Sequence, residues 1–154
     1  MAYILKPPAS LDGLGARSVF LAGSIEMGTA TDWQAEVSQA LESEDITILN
    51  PRRDHWDASL PQTIENETFR QQVEWELEAQ ERAAMIAMYF APDTKAPITL
   101  LELGLFARSG KLCVCCPDGY WRKGNVEVVC KQYGIPMAET LEALIGEIRA
   151  KLGK

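Results

Sequence analysis

A chain of 154 residues is long enough for one domain with a sizeable core, and 47% hydrophobic with 24% charged residues is the balance of an ordinary soluble globular protein. A formal net charge of −7 at pH 7 argues against a nucleic-acid polymer as partner, because binding phosphates along a duplex needs a basic face. No apolar run reaches the roughly 18 residues of a membrane span, and the Pro- and Gly-rich start has too short an apolar stretch for a signal peptide, so no membrane partner and a cytoplasmic location are expected.

Residues 1–154 read as a single domain, with 1–16 as an extended N-terminal segment. Residues 18–22, "SVFLA", form the first strand, ended by "GS". "TDWQAEVSQALES" follows as a helix, with Thr31 or Asp32 as N-cap and Trp33, Val37 and Leu41 repeating every fourth residue. Residues 46–49, "ITIL", are the second strand, closed by "NPRR". "NETFRQQVEWELEAQERA" is a second helix, with Phe69, Val73 and Leu77 as its apolar stripe. The third strand is "MIAMYF", residues 85–90, closed by "APD". A helix over 99–111 and the strand "LCVCC" at 112–116 come next, then a short fifth strand near Ile135. The last helix is amphipathic through Leu141, Leu144, Ile148 and Leu152.

Continuous apolar runs suggest strands covered on both faces, and their alternation with helices implies a doubly wound parallel sheet. Such sheets bind ligands at the carboxyl ends of their strands. The segments there are "GSIEMG", "NPRRDHWD", "APDTKAP" and "PDGYWRKGN". Asn50 and Asp93, at two of these ends, are candidate substrate-binding residues.

Cys113, Cys115, Cys116 and Cys130 contain no C-x-x-C pair, and His55 is the only histidine, so a zinc site of standard spacing is unsupported. Reduced thiols packed in a core strand are expected, with no metal. No G-x-G-x-x-G or G-K-[ST] phosphate turn is present.

Two carboxylates stand out. With about 100° per residue, Glu102 falls between Leu105 and Phe106 on a helix that is apolar nearly all round and is therefore expected to be buried. A carboxylate there is costly unless paired or used. On the second helix Glu76 shares the stripe of Phe69, Val73 and Leu77, while Glu74 and Glu78 point to solvent. Glu76 either lies at the edge and reaches water or meets the pocket of Glu102. Two buried carboxyls can divide labour, one attacking an acetal-like carbon and one assisting the leaving group.

The segments "VFLAGSIEMG", "LNPRR", "WELEAQERAAMIAMYFAPD", "PITLLELGLFARSGK" and "GYWRKGN", in that order from Val19 to Tyr133, resemble the nucleoside 2-deoxyribosyltransferase-like superfamily, closest to its branch with a "FLAGSI" start and a "LLELG" helix. That superfamily includes deoxyribosyl transferases and N-glycosidases that use water as acceptor. The resemblance implies that Glu102 attacks the sugar C1′. It sets Glu76 at a position usually held by Asp, which contacts sugar and base. It sets Gly23 and Ser24 at the turn lining the sugar or 5′ side, and Asn125 where an Asn reaches a neighbouring subunit's site.

Two departures from the pattern are Ala96, where relatives carry Asp or Ser, and Glu26, where some nucleotide-cleaving relatives carry Arg. An acid at position 26 favours a nucleoside over a monophosphate. Pattern and resemblance together lead to a flavodoxin-like α/β fold with five parallel strands in the order 2-1-3-4-5. The implied activity is cleavage of a (deoxy)nucleoside's N-glycosidic bond, with transfer to a second base or to water, without a cofactor, by a homo-oligomer.

Alternatives stay open at this level: a non-catalytic nucleoside- or nucleotide-binding protein that keeps the pocket, or an acidic scaffold assembling through Trp-rich loops. Trp33, Trp56 and Trp121 either stack on a base or pack the core and interface. Arg52, Arg53 and Asp54 are a loop of solvated charges or a flap over the pocket, and His55 is read as a surface residue. Tyr120 and Trp121, followed by Arg122 and Lys123, suit a loop at a subunit contact.

Overall fold

The computed structural model describes residues 1–25, 31–53, 57 and 59–153. Its elements in chain order are β1 (Tyr3–Leu5), β2 (Ser18–Gly23), α1 (Trp33–Ala40), β3 (Thr47–Leu49), α2 (Glu67–Arg82), β4 (Met85–Tyr89), α3 (Pro97–Phe106), β5 (Leu112–Cys115), α4 (Lys123–Tyr133), β6 (Met137–Ala138) and α5 (Leu141–Leu152). The strands form one all-parallel sheet in the order β1-β3-β2-β4-β5-β6.

Successive strand residues point to opposite faces, and each face has its own core. Phe20, Ala22, Ile86, Met88 and Val114 pack under α2, α3 and α4. Val19, Leu21, Met85, Ala87, Cys113 and Cys115 pack under α1 and α5. This double cover is why the central strands are apolar without alternation. Side chains cap three helix starts: Asp32 accepts from the Ala35 amide, Asn66 from Phe69 and Thr140 from Ala143. Each such cap contributes about 1 kcal/mol. Among the described residues no helix is long and apolar enough to cross a membrane.

Four expectations are corrected. The sheet has six strands, not five: the five expected strands run as β3-β2-β4-β5-β6, the order 2-1-3-4-5, and an unexpected strand is added at the edge beside β3. The N-terminal segment supplies β1, which pairs with β3 at the edge. The run "AYIL" at residues 2–5 is as apolar as "ITIL", but Tyr3 and Ile4 are exposed at this edge; backbone bonds such as Tyr3 N to Ile46 O and Asn50 N to Leu5 O hold the strand.

The segment after Trp121 is not all loop. It enters α4, whose N-cap position, Arg122, makes no side-chain cap bond and so gives no start signal. Its end is marked by Gly134 in the left-handed conformation, as helix ends often are.

On α2 the inner face is Gln72, Trp75, Ala79 and Gln80, while Val73 and Leu77 are exposed. One large indole and a small alanine give that helix its share of the core, and the glutamines spend their polarity on internal hydrogen bonds. On α3, Ile98, Leu101 and Leu105 are each more than half exposed, so this helix is not buried all round.

Candidate active site

Glu102 sits in the middle of α3 on its inner face and is buried beside Leu103 and Phe106. Its Oε2 accepts a hydrogen bond from Gln80 Nε2 at 2.8 Å. Burial and then the charge of Glu76 push its carboxyl up to about 8, against the Gln80 bond, which favours the ionised form. Glu76, partly buried on α2, accepts from Gln72 Nε2 at 2.8 Å. Burial raises it to about 7, while the Gln72 bond and the Arg53 charge pull the other way. Burial thus disfavours the charged form of both carboxyls, and the charge of Glu76 disfavours that of Glu102 further.

Glu74 and Glu78 face solvent and pair with Arg70 at 3.9 Å and Arg82 at 2.6 Å. The structure therefore separates Glu76 from its two acidic neighbours as expected, although the buried stripe beside it is the one centred on Trp75.

Gln72 and Gln80, beside the acids, were not legible beforehand, and Arg53 stood open between a solvated charge and a flap over the pocket. Gln80 Nε2 also donates to the backbone oxygen of Glu76 at 3.1 Å, and Gln72 Nε2 donates to Pro51 O at 3.0 Å. Arg53 Nε donates to Gln72 Oε1 at 2.5 Å. The available signal was spacing: Gln72 and Gln80 stand one helical turn on either side of Glu76. Arg52 is not simply solvated either; it donates to Thr31 O and to Gln34 Oε1.

The proposed binding residues divide into distinct roles. Gly23 ends β2, opposite Tyr89. A Cβ there would fall inside contact distance of the Tyr89 carbonyl oxygen and the Trp33 indole, so only glycine fits this close approach. Ser24 is buried, and its hydroxyl is engaged. It accepts from the Ala91 amide at 3.0 Å and lies 2.8 Å from Thr94 Oγ1. Thr94 gives its proton to Ala91 O, so Ser24 is the donor in that pair. The two hydroxyls clasp the loops after β2 and β4 together.

Asn50 is buried, and its Oδ1 accepts from the Arg52 amide in a local turn. Asp93 is exposed with φ 66°, and Ala96, with φ 46°, precedes Pro97 at the α3 start without a side-chain cap. Asn125 is exposed in the first turn of α4, and no described contact joins it to the acids.

Trp33 is core, with its Nε1 donating to Ser24 O. Trp121 is half exposed, its ring between the Lys95 and Arg122 cations and its Nε1 donating to Lys95 O. Glu26, Asp54, His55 and Trp56 lie outside the described residues.

All four cysteines are free and buried, and burial holds each thiol well above its ordinary value. Among the described residues no three His, Cys, Asp or Glu side chains gather as a metal site requires. An open cleft of about 350 Å³ lies elsewhere, between the N-terminal segment and the outer side of α2, lined by Ala9, Trp75, Glu78 and Arg82 among others but by neither Glu76 nor Glu102.

No curated protein matches the chain. A family model for nucleoside 2-deoxyribosyltransferase-like proteins matches residues 16–120, a span running from the approach to β2, through α2 and α3 with their two buried acids, to Tyr120. The chain belongs to the nucleoside 2-deoxyribosyltransferase-like family.

Proposed function

We propose that the chain cleaves the N-glycosidic bond of a (deoxy)nucleoside through a covalent intermediate on Glu102. The observation that carries this reading is a pair of desolvated carboxyls, one on α2 and one on α3, in a member of this family. The Glu102 carboxylate forms a bond to C1′ as the C1′–N bond breaks. The bonding pair leaves with the base nitrogen, which takes the proton held by Glu76. A second base, or water, then bonds to C1′. The Glu102–C1′ bond breaks with its electron pair returning to the carboxylate, and the incoming group's proton passes to Glu76.

Mutual repulsion keeps one proton on the pair; burial favours Glu102 as its site in the free protein, and the reaction requires it on Glu76 so that Glu102 attacks as the carboxylate. The covalent route splits the reaction into two easier steps and needs no cofactor. Glu26, in the segment after Ser24, favours a 5′-hydroxyl over a 5′-phosphate. The working form is a homo-oligomer. Ile98, Leu101 and Leu105 present one exposed aliphatic face of α3, with Val73 and Leu77 exposed on α2 over the same side of the sheet, and a second copy covers it.

The test is incubation with a nucleoside panel, with and without a second base, read by chromatography. Mass spectrometry after treatment with an arabino-fluoro nucleoside completes it. Base release and a sugar adduct on Glu102 are expected. Full turnover by Glu102→Ala overturns the reading.

A further inference from the structure

Gln72 and Gln80 use their amide nitrogens alike, each on one carboxylate and one backbone carbonyl. The Gln80 amide can face only one way. The Glu76 carbonyl oxygen only accepts, so the atom turned toward it is nitrogen. The same nitrogen meets Glu102 Oε2, which therefore accepts in either protonation state. The backbone of Gln80 is fixed in turn, since Lys111 Nζ donates to Gln80 O at 2.5 Å, Glu81 O at 2.8 Å and Ala83 O at 3.1 Å.

The carbonyl half of the two amides differs. Gln72 Oε1 accepts from Arg53, whereas Gln80 Oε1 is buried with no partner among the described residues. Gln80 itself is fully buried. A buried acceptor without a donor is destabilising, and an apolar side chain of similar volume avoids that cost. Packing therefore gives no reason for an amide at this position, while the donor half has two partners.

We propose that Gln80 is the positioning residue for Glu102, pinning Oε2 so that Oε1 is the oxygen that bonds to C1′. This rests on Glu102 acting as the nucleophile. A pinned carboxylate presents one oxygen in one orientation, and orientation is a large part of a covalent step's rate. The donor also favours the ionised carboxylate. Among the described residues, the charges acting on these carboxyls are Glu76, on Glu102, and Arg53 in the loop after β3, on Glu76; Gln80 adds no charge of its own.

The experiment combines a titration with kinetics. The Glu102 carboxyl is followed by carbon-13 NMR in the full chain, assigned by its loss in Glu102→Gln. Gln80→Met should raise its midpoint by about one unit, a tenfold change in proton affinity. With an active substrate, the same variant should lower kcat about 10- to 100-fold and leave KM nearly unchanged. Gln80→Asn, which retracts the amide by one methylene, should behave the same way.

A measurement on the wild type is independent of whether either variant folds. The nitrogen-15 resonances of the Gln80 side-chain amide should shift through the Glu102 midpoint and lose that shift in Glu102→Gln. A Gln80 amide indifferent to pH, or a Glu102 midpoint unmoved in folded Gln80→Met, overturns the proposal. A protein inert to nucleosides but with the Glu102 midpoint moved by Gln80 removes the glycosyl reading and leaves the pinning in place.

Discussion

Arg53 Nε donates to Gln72 Oε1, and the same amide donates to Glu76 Oε2, so a cation in the loop after β3 reaches the α2 carboxylate through one side chain. A positive charge favours the ionised acid, and it opposes the upward push of burial on Glu76.

Replacing Arg53 by Met should therefore raise the pH at which the carboxyl pair loses its last proton. In the proposed reaction that proton goes to the leaving base, so the alkaline limb of the kcat/KM profile moves up, by about one unit or less for a screened charge acting through an amide. An alkaline limb that stays in place, or moves down, contradicts the arrangement.

Glu102→Gln should change the pH dependence of stability. The folded carboxyl is raised from 4.5 to about 8, so between those values the native state holds more proton than the unfolded chain. Stability from this group is complete below about pH 4.5 and is lost as pH rises through 8. The glutamine variant lacks that loss. It should match wild type near pH 4 and exceed it at pH 8.5 by on the order of a few kcal/mol, read by urea denaturation at both values.

How much of this was legible beforehand depends on what each element uses to hold itself. The central strands are buried on both faces, and α1, α2 and α5 carry polar N-caps, so their residues announce them. The start of α4 bonds no capping side chain, and β1 is held by backbone bonds at an edge. The first leaves no mark in side-chain pattern, and the second only the run "AYIL" ahead of a Pro-rich stretch. Glu102 stood out as a carboxylate among leucines. Glu76 was singled out beside Val73 and Leu77, which turn outward; the buried neighbours are Gln72, Trp75, Ala79 and Gln80. A glutamine on a charged helix reads as solvent-facing, and only its partners in space reveal otherwise.

Gly23→Ala should be costly because the added methyl meets a backbone carbonyl and a packed indole, neither of which can move aside. A loss of roughly 2 kcal/mol or more is expected, with a Tm drop of about 4–10 °C by calorimetry. A variant melting with wild type would mean that the loop after β2 can shift freely, at odds with the Ser24–Thr94 clasp.

Lys111→Met removes three donors from the carbonyls that end α2. A cation at a helix C-terminus also complements the dipole. The expected loss is about 1–3 kcal/mol. Turnover should fall further than stability explains, because Gln80 loses its anchor. Equal kcat in a destabilised but folded variant would separate the helix end from the chemistry.

Leu101→Glu places a charge on the exposed face of α3. Sedimentation should show wild type as a dimer or larger and the variant shifted toward monomer. A wild type that sediments as a monomer at tens of micromolar (roughly the range of ordinary dimer affinities) counts against the covered face.

The pairing of β1 with β3 makes one border of the sheet depend on the first residues of the chain. Those residues continue across α2, where Ala9 O accepts from Trp75 Nε1 and Leu11 O from Arg82. If they peel away, β3 bares a row of unpaired amides and carbonyls that another molecule's strand can match. Fusions or trimming at this end should thus affect colloidal behaviour before they affect the acids. Fibrillar or edge-paired aggregates, rather than simple unfolding, are the failure expected when the first dozen residues are removed.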